Sequence, residues 1–176
     1  MEENIIIRTA RPEDARAYHT LGNLVWRDAY KHIFPEEVFV EKESKLEKKI
    51  ATFAQDCVTN NQRIVLVAEY EGKIVGFMFG AIKSYYEYFG ERGYADLVAL
   101  YIHPDFQHKG IGKKFKDRFV QWAKQNGATK FVVGVLKDNK QGRSAYEKWG
   151  GKLDEHTQPF VKLGKEYTEV FYTFDI

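Results

Sequence analysis

The sequence predicts an α/β (α+β) fold: a mixed, mostly antiparallel central sheet with helices on both faces. Three observations carry this. Leu97 to Ile102 is an apolar run of strand length that Pro104 stops, and it leads straight into a helical pattern. Arg63-Ile-Val-Leu-Val-Ala-Glu-Tyr70 and Lys73-Ile-Val-Gly-Phe-Met-Phe-Gly-Ala-Ile82 flank Glu71-Gly72, a hairpin signature. Lys130-Phe-Val-Val-Gly-Val-Leu136 is apolar without alternation, which suits a strand buried on both faces. The whole order reads β-α-α-β-β-β-α-β-α-β-β, with one βαβ crossover in an otherwise antiparallel run.

In chain order, Ile5 to Arg8 is a short strand. Pro12, Glu13 and Asp14 start a helix, because proline suits a first turn and acids suit its positive end. Ala15, Tyr18, Leu21, Val25 and Trp26 mark its apolar face, and Pro35 punctuates the segment after it. Leu46, Ile50, Phe53, Ala54 and Cys57 fall at helical spacing and predict a second helix near 36–59. Ser84 to Gly93 is a polar and aromatic connection. The crossover helix carries Ile111, Phe115, Phe119, Trp122 and Ala123 on one face and ends at Asn126-Gly127. Asp138 or Asn139 caps a further short helix that Gly150-Gly151 ends. Residues 152–163 and 167–174 read as two last strands around Gly164-Lys165.

The 176 residues suffice for one domain, 1–176, with no repeat, low-complexity stretch or linker. Apolar residues at 44% and charged residues at 30% describe a globular rather than a disordered chain. A net charge of +2 gives no footing for nucleic acid or an anionic membrane. The acidic N-terminus and the lack of a long apolar run predict neither a signal peptide nor a membrane span. A single cysteine, Cys57, allows no internal disulfide and fits a cytoplasmic setting. Five scattered histidines without ligand spacing predict no metal site.

The chemistry gathers where the central strand meets the crossover helix. A helix N-terminus leaves its first N–H groups unpaired and attracts anions. Glycines there let the backbone approach closely. Gln107, His108, Lys109, Gly110, Ile111, Gly112 and Lys113 therefore read as a phosphate or pyrophosphate cradle. The Gly-Lys-Ser/Thr ending of a Walker loop is absent, and Phe115 stands where a dinucleotide fingerprint needs its third glycine.

Gln107-His-Lys-Gly110-Ile-Gly112 resembles the Gln/Arg-x-x-Gly-x-Gly/Ala loop of the GCN5-related N-acetyltransferase family. Asn139-Lys-Gln-Gly-Arg-Ser-Ala-Tyr-Glu-Lys-Trp-Gly is similar to that family's Asn-x-x-Ala-x-x-x-Tyr-Glu-Lys-x-Gly segment. Gly142 stands where alanine is usual and Gly151 where phenylalanine is, which leaves the end of that helix in question. The resemblance implies the acyl-CoA N-acyltransferase fold, with acetyl-coenzyme A as cosubstrate and the cradle on its pyrophosphate. It also implies a central strand splayed from its neighbour, so that backbone groups at Leu100, Tyr101 and Ile102 pair with the pantetheine arm. In the same terms Asn139 contacts the coenzyme and the Tyr146 hydroxyl faces its sulfur.

Direct acetyl transfer to a primary amine needs a proton acceptor, an N–H donor for the oxyanion and a proton for the leaving thiolate. Tyr146 is the candidate acid. Asp96, eleven residues before Gln107, is the candidate base, and desolvation at the start of an apolar strand would raise its pKa. Glu87 or a water relay could serve instead. No Gly-x-Ser-x-Gly elbow or Cys–His signature predicts an acyl-enzyme. Trp26, Tyr30, Phe34, Tyr85 and Glu87 lie in two irregular segments and are expected to wall the acceptor side, because aromatic faces beside acids suit a cationic amine. A polyamine, an amino-acid-like amine or a protein amine would all fit, and a homodimer is compatible with this reading. The alternative is a non-catalytic acyl-coenzyme A sensor on the same fold.

Overall fold

A computed structural model describes residues 4–176. Among these residues seven strands form one sheet in the order β1-β2-β3-β4-β5-β7-β6. They are β1 (Ile6–Thr9), β2 (Arg63–Tyr70), β3 (Lys73–Ala81), β4 (Ala95–Ile102), β5 (Lys130–Leu136), β6 (Lys152–Lys162) and β7 (Lys165–Asp175). Every neighbouring pair is antiparallel except β4 and β5. The crossover between those two is α5 (Ile111–Gln125). Its Phe115, Phe119, Trp122 and Ala123 pack on Leu66, Met78, Leu97, Phe131 and Tyr172 of the sheet. The opposite face is covered by α1 (Ala15–Tyr30) and α3 (Leu46–Asp56), where Tyr18, Leu21, Val25 and Phe53 meet Val65, Val67 and Phe77. Each large apolar side chain so removed from water stabilises the fold by about 1.5–3 kcal/mol before entropy is counted.

The helix expected over 36–59 is two helices, α2 (Glu36–Glu43) and α3. Val38 and Phe39 of α2 bury against Phe34 and Leu136, whereas Phe53 and Cys57 bury against Tyr18 and Phe77. The two halves serve different clusters, and the chain bends at Ser44-Lys45 to reach both. The Ser44 hydroxyl donates to the Glu41 carbonyl at 2.7 Å there, a side-chain bond that competes with the helical pattern. The Ser84–Gly93 connection contains a helical turn, α4 (Glu87–Gly90). The final hairpin turns at Leu163-Gly164 rather than Gly164-Lys165, with both residues at positive φ (48° and 76°). Glu71-Gly72 has the same geometry (49° and 76°), the twist that suits a two-residue hairpin.

Two irregularities interrupt the centre of the sheet. The β3–β4 register pairs Phe79 with Ala99 but Gly80 with Leu97, so Val98 is an extra residue. Before it, Leu97 faces the α5 side; after it, Ala99 and Tyr101 join the α1 side. In addition, β4 and β5 pair only at Ala95↔Phe131 and Asp96↔Val132. Past those two rungs the strands part.

Gly80 sits at the bulge because Phe119 occupies its side-chain space: a Cβ there would lie 2.6 Å from the ring Cδ2. We expect Gly80→Ala to cost about 1–3 kcal/mol by overpacking. Urea denaturation would register this as a lower midpoint at unchanged slope. A variant as stable as the parent would mean that the Phe119 ring yields freely.

Candidate active site

The parted strands open a cleft of about 510 Å³. Val98 to Ile102 of β4 form one wall, and Gly134 and Val135 of β5 the other. α6 (Lys140–Lys148) lies across it and contributes Gly142, Ala145 and Tyr146. The N-terminus of α5, from Gly110 to Lys113, closes one end. Leu100, Tyr101 and Ile102 pair with Met78, Phe77 and Gly76 of β3 on one edge. On their β5 edge they have no strand partner. In a sheet interior such an edge is left unpaired only where something else completes it.

The loop into α5 is built for close approach. His108 and Gly110 both hold left-handed φ (61° and 78°), and Gly110 is the N-cap. Alternation of this kind points successive N–H groups toward one centre. The first helical amides, at Ile111, Gly112 and Lys113, have no carbonyl within their own helix to pair with. A Cβ at Gly112 would crowd the Trp149 ring at 3.3 Å. Lys113 is paired with Asp117 at 2.6 Å. Gln107 acts as a clasp: its amide donates to the Ile102 carbonyl at 3.2 Å and its oxygen accepts from Gln141 Nε2 at 3.2 Å. His108 lines the cleft and is exposed, while Lys109 is exposed beside the Phe106 ring.

Asn139 is the cap of α6, its side chain accepting from Gly142 N–H at 3.0 Å and donating to the Tyr30 hydroxyl at 3.3 Å. Both departures from the expected segment have a packing reason. A Cβ at Gly142 would stand 2.9 Å from Asn139 Nδ2, so glycine lets the cap close. At Gly151 a Cβ would stand 2.6 Å from the Phe174 ring and 2.9 Å from the Tyr146 carbonyl. The helix end is well formed, with Gly151 N–H donating to that carbonyl at 3.0 Å. Tyr146 lines the cleft, and among the described residues nothing hydrogen-bonds its hydroxyl. Burial holds its pKa above that of an ordinary tyrosine, and Tyr30 adds to the rise. Tyr101 is raised by burial and by Tyr30 and Tyr146, so three phenols share this space.

The expected acceptor wall divides. Tyr30 lines the cleft, but Phe34 is only 4% exposed inside an aromatic cluster, and Trp26 stacks on it at 5.1 Å. Tyr85 is 67% exposed and Glu87 is exposed, and neither lines the cleft. Tyr86, between them, turns inward instead and donates to Glu169 Oε1 at 2.7 Å. Glu169 was invisible to sequence reasoning because an alternating strand does not disclose that one of its acids points into the protein. Asp96 is 1% exposed and stands behind the cleft rather than lining it. Its Oδ2 accepts from Ser84 Oγ at 2.9 Å and Tyr85 N–H at 3.2 Å, while Oδ1 has no partner among the described residues.

The acetyltransferase (GNAT) family profile matches residues 23–151, which spans the cleft, the loop into α5 and α6. The chain belongs to the GNAT acetyltransferase family. Acetyltransferase YE1169 of Yersinia enterocolitica is 33% identical over 108 residues, covering 61% of this chain and 68% of that protein. The L-amino acid N-acyltransferase MnaT of Escherichia coli is 30% identical over 89 residues, covering 49% and 48%. Among solved structures, PaiA N-acetyltransferase of Thermoplasma acidophilum in complex with coenzyme A superposes with a TM-score of 0.74 at 22% identity, covering 98% of this chain and 99% of that one. YncA of Salmonella typhimurium with its cofactor acetyl-CoA gives 0.66 at 22% identity, covering 98% and 94%. The structural likenesses establish the acyl-CoA N-acyltransferase fold for this GNAT chain.

Burial raises the Asp96 carboxyl from 3.8 to about 6; the bonds from Ser84 and Tyr85 oppose the rise and Glu169 adds to it. Between about pH 4 and 6 the folded chain therefore keeps a proton that the unfolded chain has lost. Stability falls as pH rises through that window, and above it the full penalty of about 3 kcal/mol is present. Asp96→Asn should remove this slope: its stability relative to the parent, from urea denaturation, should rise by up to that amount from about pH 4 to pH 7. Parallel pH profiles for the two proteins would contradict the assignment.

Proposed function

We propose that this chain is a cytoplasmic N-acetyltransferase that binds acetyl-coenzyme A in the β4–β5 cleft and passes the acetyl group directly to a primary amine. The observation that carries it is the parting of β4 and β5 above the glycine-bearing mouth of α5, with the unbonded Tyr146 hydroxyl across the gap. Family membership and the coenzyme complexes of PaiA and YncA support the choice of cosubstrate. The single cysteine, buried, fits a reducing compartment, and no helix among the described residues is long and apolar enough to cross a membrane.

In this reading the amides of residues 108–113 hold the pyrophosphate, with Lys109 and Lys113 adding positive charge. Those backbone groups of Leu100, Tyr101 and Ile102 that face away from β3 pair with the pantetheine arm, and one of the N–H groups faces the developing oxyanion. Asn139 contacts the coenzyme and fixes Tyr30 beside it. The cosubstrate supplies a thioester, an acyl group activated toward amines. Tyr146 keeps its proton at neutral pH because burial raises its pKa, so it can donate to the departing sulfur. Asp96 accepts the amine's proton through water, since its carboxylate stands behind the wall and not on it.

Tyr146→Phe should lower turnover at least about tenfold while calorimetry finds coenzyme affinity unchanged. Equal turnover would remove Tyr146 from the reaction. Gly110→Asp should abolish coenzyme binding, because it places a side chain and a negative charge at a left-handed position of the cradle. Unchanged affinity would refute the cradle. Thiol release with an amine panel separates the enzyme from a sensor: binding without release would favour the sensor.

A further inference from the structure

Two carboxylates are buried on the α1 side of the sheet, and among the described residues neither is paired with a cation. Asp96 (1% exposed) is held by Ser84 and Tyr85, with Oδ1 unpartnered. Glu169 (8% exposed) accepts from Tyr86 Oη at 2.7 Å and Gln158 Nε2 at 2.9 Å. All four donors are neutral, and no ion pair to either acid is formed among the described residues. The two acids are close enough for Glu169 to raise the proton affinity of Asp96, and for both to act on Tyr86. Burying one carboxylate without a counter-charge is unfavourable, and a second within its field more so. Such an arrangement is balanced when a ligand brings the missing positive charge.

The arrangement abuts the cleft at one point: Glu169, Tyr86 and Gln158 stand behind its wall, and Tyr86 and Glu169 pack against Gly134, which lines it. Gly134 lines the β5 wall, and β7 pairs Phe171 with Gly134 and Glu169 with Leu136. A Cβ on Gly134 would overlap the Tyr86 hydroxyl and stand 2.9 Å from Glu169 Oε1. Residue 134 thus has no side chain where the hydroxyl and the carboxylate come up against the wall. The cationic side chains of the cleft, Lys113 and Lys148, belong to the cradle and to α6, not to this end.

We propose that Glu169, presented by Tyr86 and Gln158 beside Gly134, selects the acceptor: an amine that carries a second ammonium group, which pairs with this carboxylate. Glu169 is a specificity-determining residue and takes no part in bond making. An acceptor with a carboxylate beside its amine would instead meet like charge here. Glu169 thereby defines the substrate class within the acetyltransferase reading, on which its role rests.

The test is calorimetric and does not need turnover. Diaminobutane and butylamine are titrated into the full-length protein saturated with coenzyme A, as parent and as Glu169→Gln. The parent should bind the diamine at least about tenfold more tightly than the monoamine, and Glu169→Gln should lose that preference while its coenzyme affinity is kept. Glu169→Asp, which keeps the charge, should recover part of it. A parent without preference, a preference that survives Glu169→Gln, or equal loss for both amines would overturn the proposal. The parent comparison alone decides if the variant fails to fold. Diamine preference without coenzyme A release from acetyl-coenzyme A would sink the acetyltransferase reading and leave the cation site standing.

Discussion

The structure depends on a sheet that stops being a sheet. β4 and β5 share two rungs and then separate, and each backbone N–H and C=O on the separated edges loses its ladder partner. Orphaned backbone groups cost of order 1–3 kcal/mol each when water cannot reach them. The chain offsets part of this itself, since Gln107 takes the Ile102 carbonyl. The rest stays open toward a cleft. Parallel strands far apart in sequence and joined by a helix can tolerate such a gap, because α5 packs against the intact strands on either side. A hairpin has no comparable freedom: its turn keeps the two strands in register.

The extra residue Val98 is the companion of that gap. It rotates the rest of β4 so that Ala99 and Tyr101 join the α1 side while Leu97 stays with α5. The cleft therefore has two chemically distinct ends. Toward α5 it presents amides, glycines and lysines, which suit phosphate. Toward α1 it presents phenols and, behind Gly134, buried acids, which suit a cation. In the proposed reading, a molecule with a diphosphate at one end and a thioester at the other takes the first, and an amine takes the second. The polarity of the site follows from the strand order, with no contribution from net charge.

Much of this was legible in the sequence, for local reasons. Gly110, Gly112 and Asn126-Gly127 bracket a helix whose apolar spacing is regular, so the crossover and its glycine-bearing entry could be read directly. Asn139 and Tyr146 could be placed because a cap and a helical spacing of seven put them on one short helix. The features that stayed hidden were set by packing between distant segments. The parting of β4 and β5 leaves no trace in either strand and was expected only from the family resemblance. The break at Ser44-Lys45 reflects two clusters that the chain must satisfy separately. Trp26 and Phe34 were expected on the acceptor wall and serve an aromatic cluster instead. Tyr85, Tyr86 and Glu87 are three neighbours of similar promise, and only the fold decides that the middle one turns inward to Glu169.

The most direct measurement is site-resolved amide hydrogen exchange along β4, with and without acetyl-coenzyme A. In the free protein the amides between Val98 and Ile102 that face β5 should exchange much faster than those bonded to β3, as unpaired backbone does. Added coenzyme should protect them together with the amides of residues 108–113, and leave the β6–β7 hairpin unchanged. Slow exchange on the β5 edge without ligand, or coenzyme protection centred on another part of the sheet, would contradict the account.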